Sequence, residues 1–396
     1  MAALSIRDRV AIVGMGCTPF GEHWDKGADD LLVDAATEAL ESANLDKAAI
    51  DAYWLGTLGS GLSGITLAGP LKIDYKPVTR VENFCATGSE AFRNACYGVA
   101  SGAYERVMAI GVEKLKDSGM SGINLPTRPT DGTEPTLSVP AMFAMLATAY
   151  CSKYDVDEST MRSVLSKIAV KNHYNGARNP RAQFRKEVSI EAVERSPKMA
   201  GMLGILDCSG VADGSAAAIL VRAEDAYSYT DQPLFVKGIS FVAGPASGAH
   251  DPRYDYTSFP ELTRTARDAY KQAGVTDPRA QLAMAEVHDC FTPTELVILE
   301  DLGFAERGSA WKDLLAGVFD LDGELPVNPD GGLKSFGHPI GATGLRMLFE
   351  CWQQLRGAAE PSRQIRTDKK LALVNNLGGQ PGALVSYVAI VGTELG

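Results

Sequence analysis

Three stretches from the first part of the chain return, in the same order, in the second. DAATEALESANLDKAAIDAYW (34–54) is echoed by TARDAYKQAGVTDPRAQLAMAEV (265–287), with Ala35 opposite Thr265. CATGSEAF (85–92) is echoed by IGATGLRML (340–348), with Ala86 opposite Ala342. YERVMAIGVE (104–113) is echoed by DKKLALVNNL (368–377), with Val107 opposite Leu371. The separation between partners grows along the chain, as expected of a duplicated unit that has taken insertions. Each copy reads strand, helix, strand, helix, a pattern that predicts parallel sheets covered by helices. A length of 396 residues accommodates two such halves, and 45% hydrophobic with only 8% aromatic residues predicts a large aliphatic core.

Between the halves the character changes. From Arg162 to Lys198 there are nine basic residues against three acidic ones, inside a chain of net charge −11. The overall charge argues against a general affinity for nucleic acid or anionic membrane surface. The basic segment has two readings, a solvated helix face or a landing site for a phosphate-bearing substrate. On the second, Arg178, Arg181 and Arg185, in and beside the loop-like HYNGARNPRAQF (173–184), are the candidate contacts. No apolar run approaches the length of a membrane span, and the ends carry no recognisable signal or retention address. Seven scattered cysteines, none in a C-x-x-C pair, fit a reducing compartment, so a cytoplasmic location is expected.

Three short constellations carry chemistry. In VENFCATGSEAFRNACYGVASG (81–102), Cys85 stands just before a helical-looking run, with Thr87 and Ser89 as capping candidates. The exposed N–H groups and positive dipole end of that first turn favour a thiolate, although free cysteine is also a common buried hydrophobe. In GLKSFGHPIGATGLR (332–346), His338 lies on a glycine- and proline-shaped loop feeding a helix, a setting that suits a base beside a ligand. In VHDCFT (287–292), His288, Asp289 and Cys290 follow a hydrophobic run, at the carboxyl end of an expected strand. Half of a metal site is an alternative there, but two ligands within three residues lack matching partners in the sequence, so no metal is expected. AIVGMGCTPFGE imitates a dinucleotide fingerprint, yet Pro19 occupies the third glycine position, which argues against a dehydrogenase.

Together these pieces resemble the thiolase superfamily over nearly the whole chain. RVAIVGMGCTPFG, NFCATGSEA, DCSGVADGSAAAILV (207–221), SFGHPIGATG and NNLGGQPGALV all have counterparts there. VHDCF and KNHYNGARNPRAQF resemble more narrowly the sterol-carrier-protein type of thiolase. The resemblance implies a five-layered α-β-α-β-α fold of two duplicated halves, 1–115 plus 205–228 and 229–396, with an inserted loop domain, 116–204, that helps to hold coenzyme A. It implies Cys85 as the acyl-accepting nucleophile and His338 as its base. His338 and His288 would surround one oxyanion hole, His288 in part through water. The backbone N–H groups of Cys85 and Gly378 would form the other. Many thiolases carry a second reactive cysteine in a Cys-x-Gly motif, where this chain has Asn376-Leu377-Gly378. In the HDCF-bearing group the cysteine of that motif takes the acid/base role, which here falls to Cys290.

The expected activity is that of an acyl-CoA C-acyltransferase, cleaving 3-oxoacyl-CoA with CoA or running the reverse Claisen condensation through a cysteine acyl-enzyme. Acyl-CoA and CoA are the expected substrates, with no cofactor and no metal, in a homodimer or a dimer of dimers. One alternative is a thiolase-like aldolase or acyltransferase subunit working with a small OB-fold-type acyl-CoA-binding partner protein. Another is a non-catalytic CoA-binding scaffold. Retention of Cys85, His288, Cys290 and His338 together argues against the scaffold, since binding alone needs no two thiols.

Overall fold

The computed structural model describes residues 5–117, 138–248 and 251–396, so 118–137 of the expected insertion lie outside the described residues. The first half runs β1 (Val10–Cys17), α1 (Ala28–Ser42), β2 (Ala52–Gly56), α2 (Ile65–Leu71), β3 (Val78–Val81), α3 (Thr87–Ala100) and β4 (Arg106–Glu113). Helices α4 (Val139–Tyr154), α5 (Glu158–Ala177) and α6 (Ile190–Glu194) follow, with a ribbon of β5 (Lys198–Ala200) and β6 (Leu203–Gly204), before β7 (Gly214–Arg222). The second half runs β8 (Leu234–Ala243), α7 (Pro260–Ala273), α8 (Pro278–Gln281), β9 (Leu282–Glu286), α9 (Thr292–Asp301) and α10 (Ala310–Leu315). It ends with α11 (Gly332–Phe336), α12 (Thr343–Leu355), β10 (Leu371–Gln380) and β11 (Ala383–Gly392).

Nine strands join in the order β3-β2-β4-β7-β1-β8-β11-β10-β9. The halves meet where β1 pairs with β8 through Ala11↔Phe235 and Ile12↔Leu234, and from that seam the order is mirrored outward. The sequence echoes fall on matching elements: α1 with α7, α3 with α12, β2 with β9 and β4 with β10. The expected all-parallel sheets need correction. Strand β2 is parallel to β3 and β4, and β9 to β10, but every pairing from β4 through β7, β1, β8 and β11 to β10 is antiparallel. For β11 the reason is local. Only Pro381 and Gly382, the latter at φ 81, separate it from β10, and a two-residue connection makes a hairpin rather than a crossover.

The layers follow from which helix faces are apolar. Helix α1 buries Leu31, Leu32, Ala35, Ala36 and Ala39, and α7 buries Glu261, Leu262, Thr265, Ala266 and Ala269 at the same spacing. Each presents one stripe, so each covers an outer sheet face, α1 on β1 and β7 and α7 on β8 and β11. Helices α3 and α12 are buried on most sides and pack on each other and on strands of both halves, which makes them the middle layer. The Gly14-x-Gly16 pair serves this packing: a Cβ on Gly16 would sit 2.2 Å from the carbonyl oxygen of Ala35 in α1. Glycine is there so that helix and strand can touch.

The basic segment docks the insertion by charge. Five of its nine cations form ion pairs, Arg162 with Asp207, Lys167 with Asp320, Lys171 with Glu295, Arg178 with Glu187 and Arg181 with Glu38. Four of these carboxylates lie outside the segment, so much of its positive charge answers the acidic excess of the two halves.

Candidate active site

Cys85 lies in the turn between β3 and α3, one residue before the helix cap Ala86. Phe84, just before it, has φ 49, a left-handed conformation that costs a bulky residue about 1–3 kcal/mol. Thr87 holds the turn shut: its hydroxyl donates to the Phe84 carbonyl at 2.6 Å and accepts from the Asn83 N–H at 2.9 Å. The expectation that Thr87 and Ser89 cap α3 is therefore corrected. Neither side chain caps the helix, because Thr87 reaches back to the nucleophile turn and Ser89 reaches across to Asn376.

Three distant segments meet at the sulfur. A donor atom from each of Cys85, His288 and His338 lies within 4.8 Å of the other two. The two imidazoles meet edge to face, their centroids 5.5 Å apart. The hydrogen-bond network assigns a different tautomer to each ring. Thr343 donates its hydroxyl proton to the Pro339 carbonyl at 2.9 Å, so toward His338 Nδ1, 2.7 Å away, it is an acceptor. His338 therefore carries its proton on Nδ1 and turns the Nε2 lone pair, which has no partner among the described residues, into the site. On the other ring, Ser89 donates to Asn376 Oδ1 at 2.9 Å, which leaves the Asn376 amide N–H to donate to His288 Nδ1 at 2.9 Å. The His288 proton then sits on Nε2. One ring is a base and the other a donor.

Burial sets the protonation states. It pushes the Cys85 thiol up to about 12, and it brings His338 down to about 3 and His288 well below the usual imidazole range. The resting pair is thus a thiol beside a neutral imidazole. This corrects the thiolate expected from the helix end: desolvation outweighs the few N–H groups there. Cys290 is buried as well, its Sγ 3.8 Å from Thr294 Oγ1, and burial followed by the charge of nearby Cys85 raises it well above a free thiol.

Asp289, between His288 and Cys290, points elsewhere. Its carboxylate accepts from the N–H groups of Leu333 (2.6 Å) and Lys334 (3.1 Å) and from Asn172 Nδ2 (2.7 Å). Gly332, at φ 61, permits this approach, since a Cβ there would lie 2.4 Å from Asp289 Oδ2. Asp289 thereby ties the HDCF turn to the loop that carries His338. The Asn residues of KNHYNGARNP do similar work, Asn175 and Asn179 donating to the carbonyls of Asn328 and Asp330. Gly378, near the end of β10, lies against the nucleophile turn, where a Cβ would come within 2.3 Å of the Asn83 carbonyl oxygen. Glu113, at the end of β4, accepts from Gly341 N as well as from the N–H groups of Leu58, Gly59 and Ser60. The sequence reading took Ser89 only as a capping candidate and gave Asn376, Thr343 and Glu113 no role in the site; Ser89, Asn376 and Glu113 act through partners from the opposite half, Thr343 through His338 in its own loop.

The three candidate phosphate contacts separate. Arg181 is held by both carboxylate oxygens of Glu38 and by the Cys17 carbonyl, so it docks the insertion. Arg178 stacks 3.4 Å from the Tyr174 ring centroid and pairs with Glu187 on the surface. Arg185 is exposed, and among the described residues its hydrogen bond goes to the Pro180 carbonyl, at 3.5 Å.

Comparison with known proteins agrees with this geometry. Residues 10–224 match the family described as Thiolase, N-terminal domain, and residues 246–392 the one described as Thiolase C-terminal domain-like. An acetyl-CoA acetyltransferase of Methanothermobacter thermautotrophicus is 37% identical over 387 residues, 96% of this chain and 98% of that protein. Sterol carrier protein 2 of Homo sapiens is 33% identical over 391 residues, 93% of this chain and 70% of that protein. Among solved structures, an Ltp2-ChsH2(DUF35) aldolase superposes with a TM-score of 0.83 at 24% identity, covering 98% of this chain and 99% of that one. With two halves of matching topology closed round a cysteine and two histidines, and with family matches across both halves, this chain belongs to the thiolase family.

Proposed function

We propose that the protein is an acyl-CoA C-acyltransferase working through an acyl-enzyme on Cys85. The observation that carries this reading is the convergence of Cys85, His288 and His338 with the two imidazoles in opposite tautomers. His338 Nε2 takes the thiol proton as Cys85 sulfur attacks the thioester carbonyl, and the resulting imidazolium returns that proton to the departing CoA thiolate. The backbone N–H groups of Cys85 and Gly378 receive the oxyanion of this step. In the second step either CoA attacks the acyl-enzyme or the α-carbon of acetyl-CoA does, after Cys290, its own thiol proton first passed to solvent, removes the α-proton as a thiolate. The His288 N–H is aimed to stabilise the negative charge on that second thioester oxygen. No metal or prosthetic group takes part. The names of relatives such as the archaeal acetyl-CoA acetyltransferase support the same reading.

Arg178 and Arg185 remain the candidates for CoA phosphate. A homodimer is supported by the outermost strand β3, which has one neighbour and lies near the exposed side chains of Leu62, Ile65 and Tyr75. Among the described residues no helix is long and apolar enough to cross a membrane, and all seven cysteines are free, which supports a reducing, cytoplasmic location. A reading as an aldolase subunit with a small partner would need chemistry without an acylated cysteine, and the enclosed Cys85–His338 pair favours the acyltransferase. Incubation with acetyl-CoA followed by intact-mass measurement decides between them. One acetyl group per chain, absent in Cys85→Ser, is expected, and an unmodified wild-type protein would overturn the acyltransferase reading.

A further inference from the structure

The same three side chains suggest a second property that the acyl-transfer chemistry does not require. Cys85 Sγ and one nitrogen from each of His288 and His338 lie within 4.8 Å of one another, the only such group of three His, Cys, Asp or Glu donors among the described residues. His338 Nε2 is buried, faces this space and has no hydrogen-bond partner among the described residues. His338 Nδ1 donates to Thr343, which is how metal-ligating histidines are normally oriented, whereas His288 Nδ1 accepts from Asn376. We propose that the reaction centre is an inhibitory binding site for a borderline-soft divalent cation, Zn2+ or Co2+, held by Cys85, His288 and His338 with a fourth position left open.

The donor set decides which cations fit. One sulfur and two imidazole nitrogens suit Zn2+ and Co2+, whereas Mg2+ and Ca2+ require oxygen ligands. The nearby carboxylates are engaged elsewhere, Asp289 by the N–H groups of Leu333 and Lys334, and Glu113 by the backbone of 58–60 and Gly341. Binding needs one rearrangement. The Asn376 amide turns over to accept from His288 Nδ1–H and to donate to Ser89, which moves the His288 proton from Nε2 to Nδ1 without loss. The Cys85 thiol loses its proton to solvent on coordination, so about one proton is released per metal bound. The bound metal occupies both the nucleophilic sulfur and the lone pair of the base, so acyl transfer stops until it is removed.

Co2+ titration of the purified protein tests this without reference to turnover. One equivalent is expected to give a tetrahedral spectrum with a thiolate-to-cobalt charge-transfer band. That band should vanish in Cys85→Ser, persist in Cys208→Ser, and weaken together with an at least tenfold lower Zn2+ affinity, on the order expected for a lost ligand, in His338→Asn. Zn2+ should also shield Cys85 from iodoacetamide in the wild-type protein more than it shields the other six cysteines, a readout that stands even where a variant fails to fold. EDTA should restore both alkylation and acetylation, and Mg2+ should not compete. A cobalt spectrum without a thiolate band, equal Zn2+ affinity in Cys85→Ser, or unprotected Cys85 would overturn the proposal.

Discussion

At α3 the helix opens through Cys85-Ala86-Thr87-Gly88, and at α12 through Gly341-Ala342-Thr343-Gly344, with Ala86 and Ala342 as the cap residues. These are the two copies of one duplicated segment, and they touch: a Cβ on Gly88 would lie 2.7 Å from the Gly341 carbonyl oxygen. In both, the first helical threonine donates its hydroxyl proton backward to a loop carbonyl, Phe84 in one and Pro339 in the other. What the same oxygen accepts is different. Thr87 accepts a backbone N–H and so shapes the turn that presents the sulfur, whereas Thr343 accepts the His338 ring N–H and so fixes the tautomer of the base. Duplication supplied two equivalent helix mouths. Divergence at one position gave one a nucleophile, while the other holds the base a few residues earlier in its loop.

The comparison can be broken most decisively at the proton-transfer groups. If His338 serves acylation and Cys290 serves the α-carbon, Cys290→Ala should still accumulate acyl-enzyme while overall turnover falls by about two to four orders of magnitude. Solvent deuterium exchange into acetyl-CoA should fall in parallel. Undiminished exchange with the fold intact by circular dichroism would pass the role to another group, His288 first.

A pH profile of alkylation examines the resting state of the first mouth. Because burial holds the Cys85 thiol up at about 12, its reaction with iodoacetamide should rise about tenfold per pH unit through the neutral and mildly alkaline range. A plateau below about pH 8 would show a preformed thiolate–imidazolium pair and restore the helix-dipole account.

The paired threonines sharpen the contrast. Thr343→Val frees the His338 ring and should lower the acylation rate about tenfold, the value of one buried hydrogen bond, with a small change in melting temperature. Thr87→Val should instead cost about 1–3 kcal/mol of stability through the strained turn at Phe84. Equal effects on rate and stability in both variants would mean that the two hydroxyls act alike. The smallest effect is expected at the surface. Charge reversal at Arg178 or Arg185 should raise KM for CoA several-fold with little change in kcat, as for contacts present equally in ground and transition states. The same substitution at Arg181 should lower stability, through the lost Glu38 pair, more than it changes KM.

Much of this site was legible in the sequence because its groups sit in short, unusual strings. Cys85 before CATGSEA, His338 in GHPIGATG and His288 with Cys290 in HDCF each stood out, and the order of the echoes predicted the duplicated α/β halves. Two of the misreadings share a cause. Arg181 looked like a free cation because Glu38 lies far away in sequence, and Ser89 looked like a cap because its partner Asn376 was equally distant, while Thr87 turned back to the adjoining residues Asn83 and Phe84. The antiparallel pairings were missed although the Pro381–Gly382 turn before β11 was in view.

The amino-acid order by itself determined which elements form, because the spacing of Leu31, Ala35 and Ala39, repeated at Thr265 and Ala269, is a local property of the chain. It also determined which reactive groups the site holds. The tertiary structure alone decided what those groups are in chemical terms: a neutral base at His338, a donor at His288 and a protonated thiol at Cys85. The His338 tautomer rests on the nearby Thr343, but the orientation of Asn376 toward His288 is set by Ser89 of the other half and the thiol state by the removal of water, and neither of these exists until the two halves close on α3 and α12.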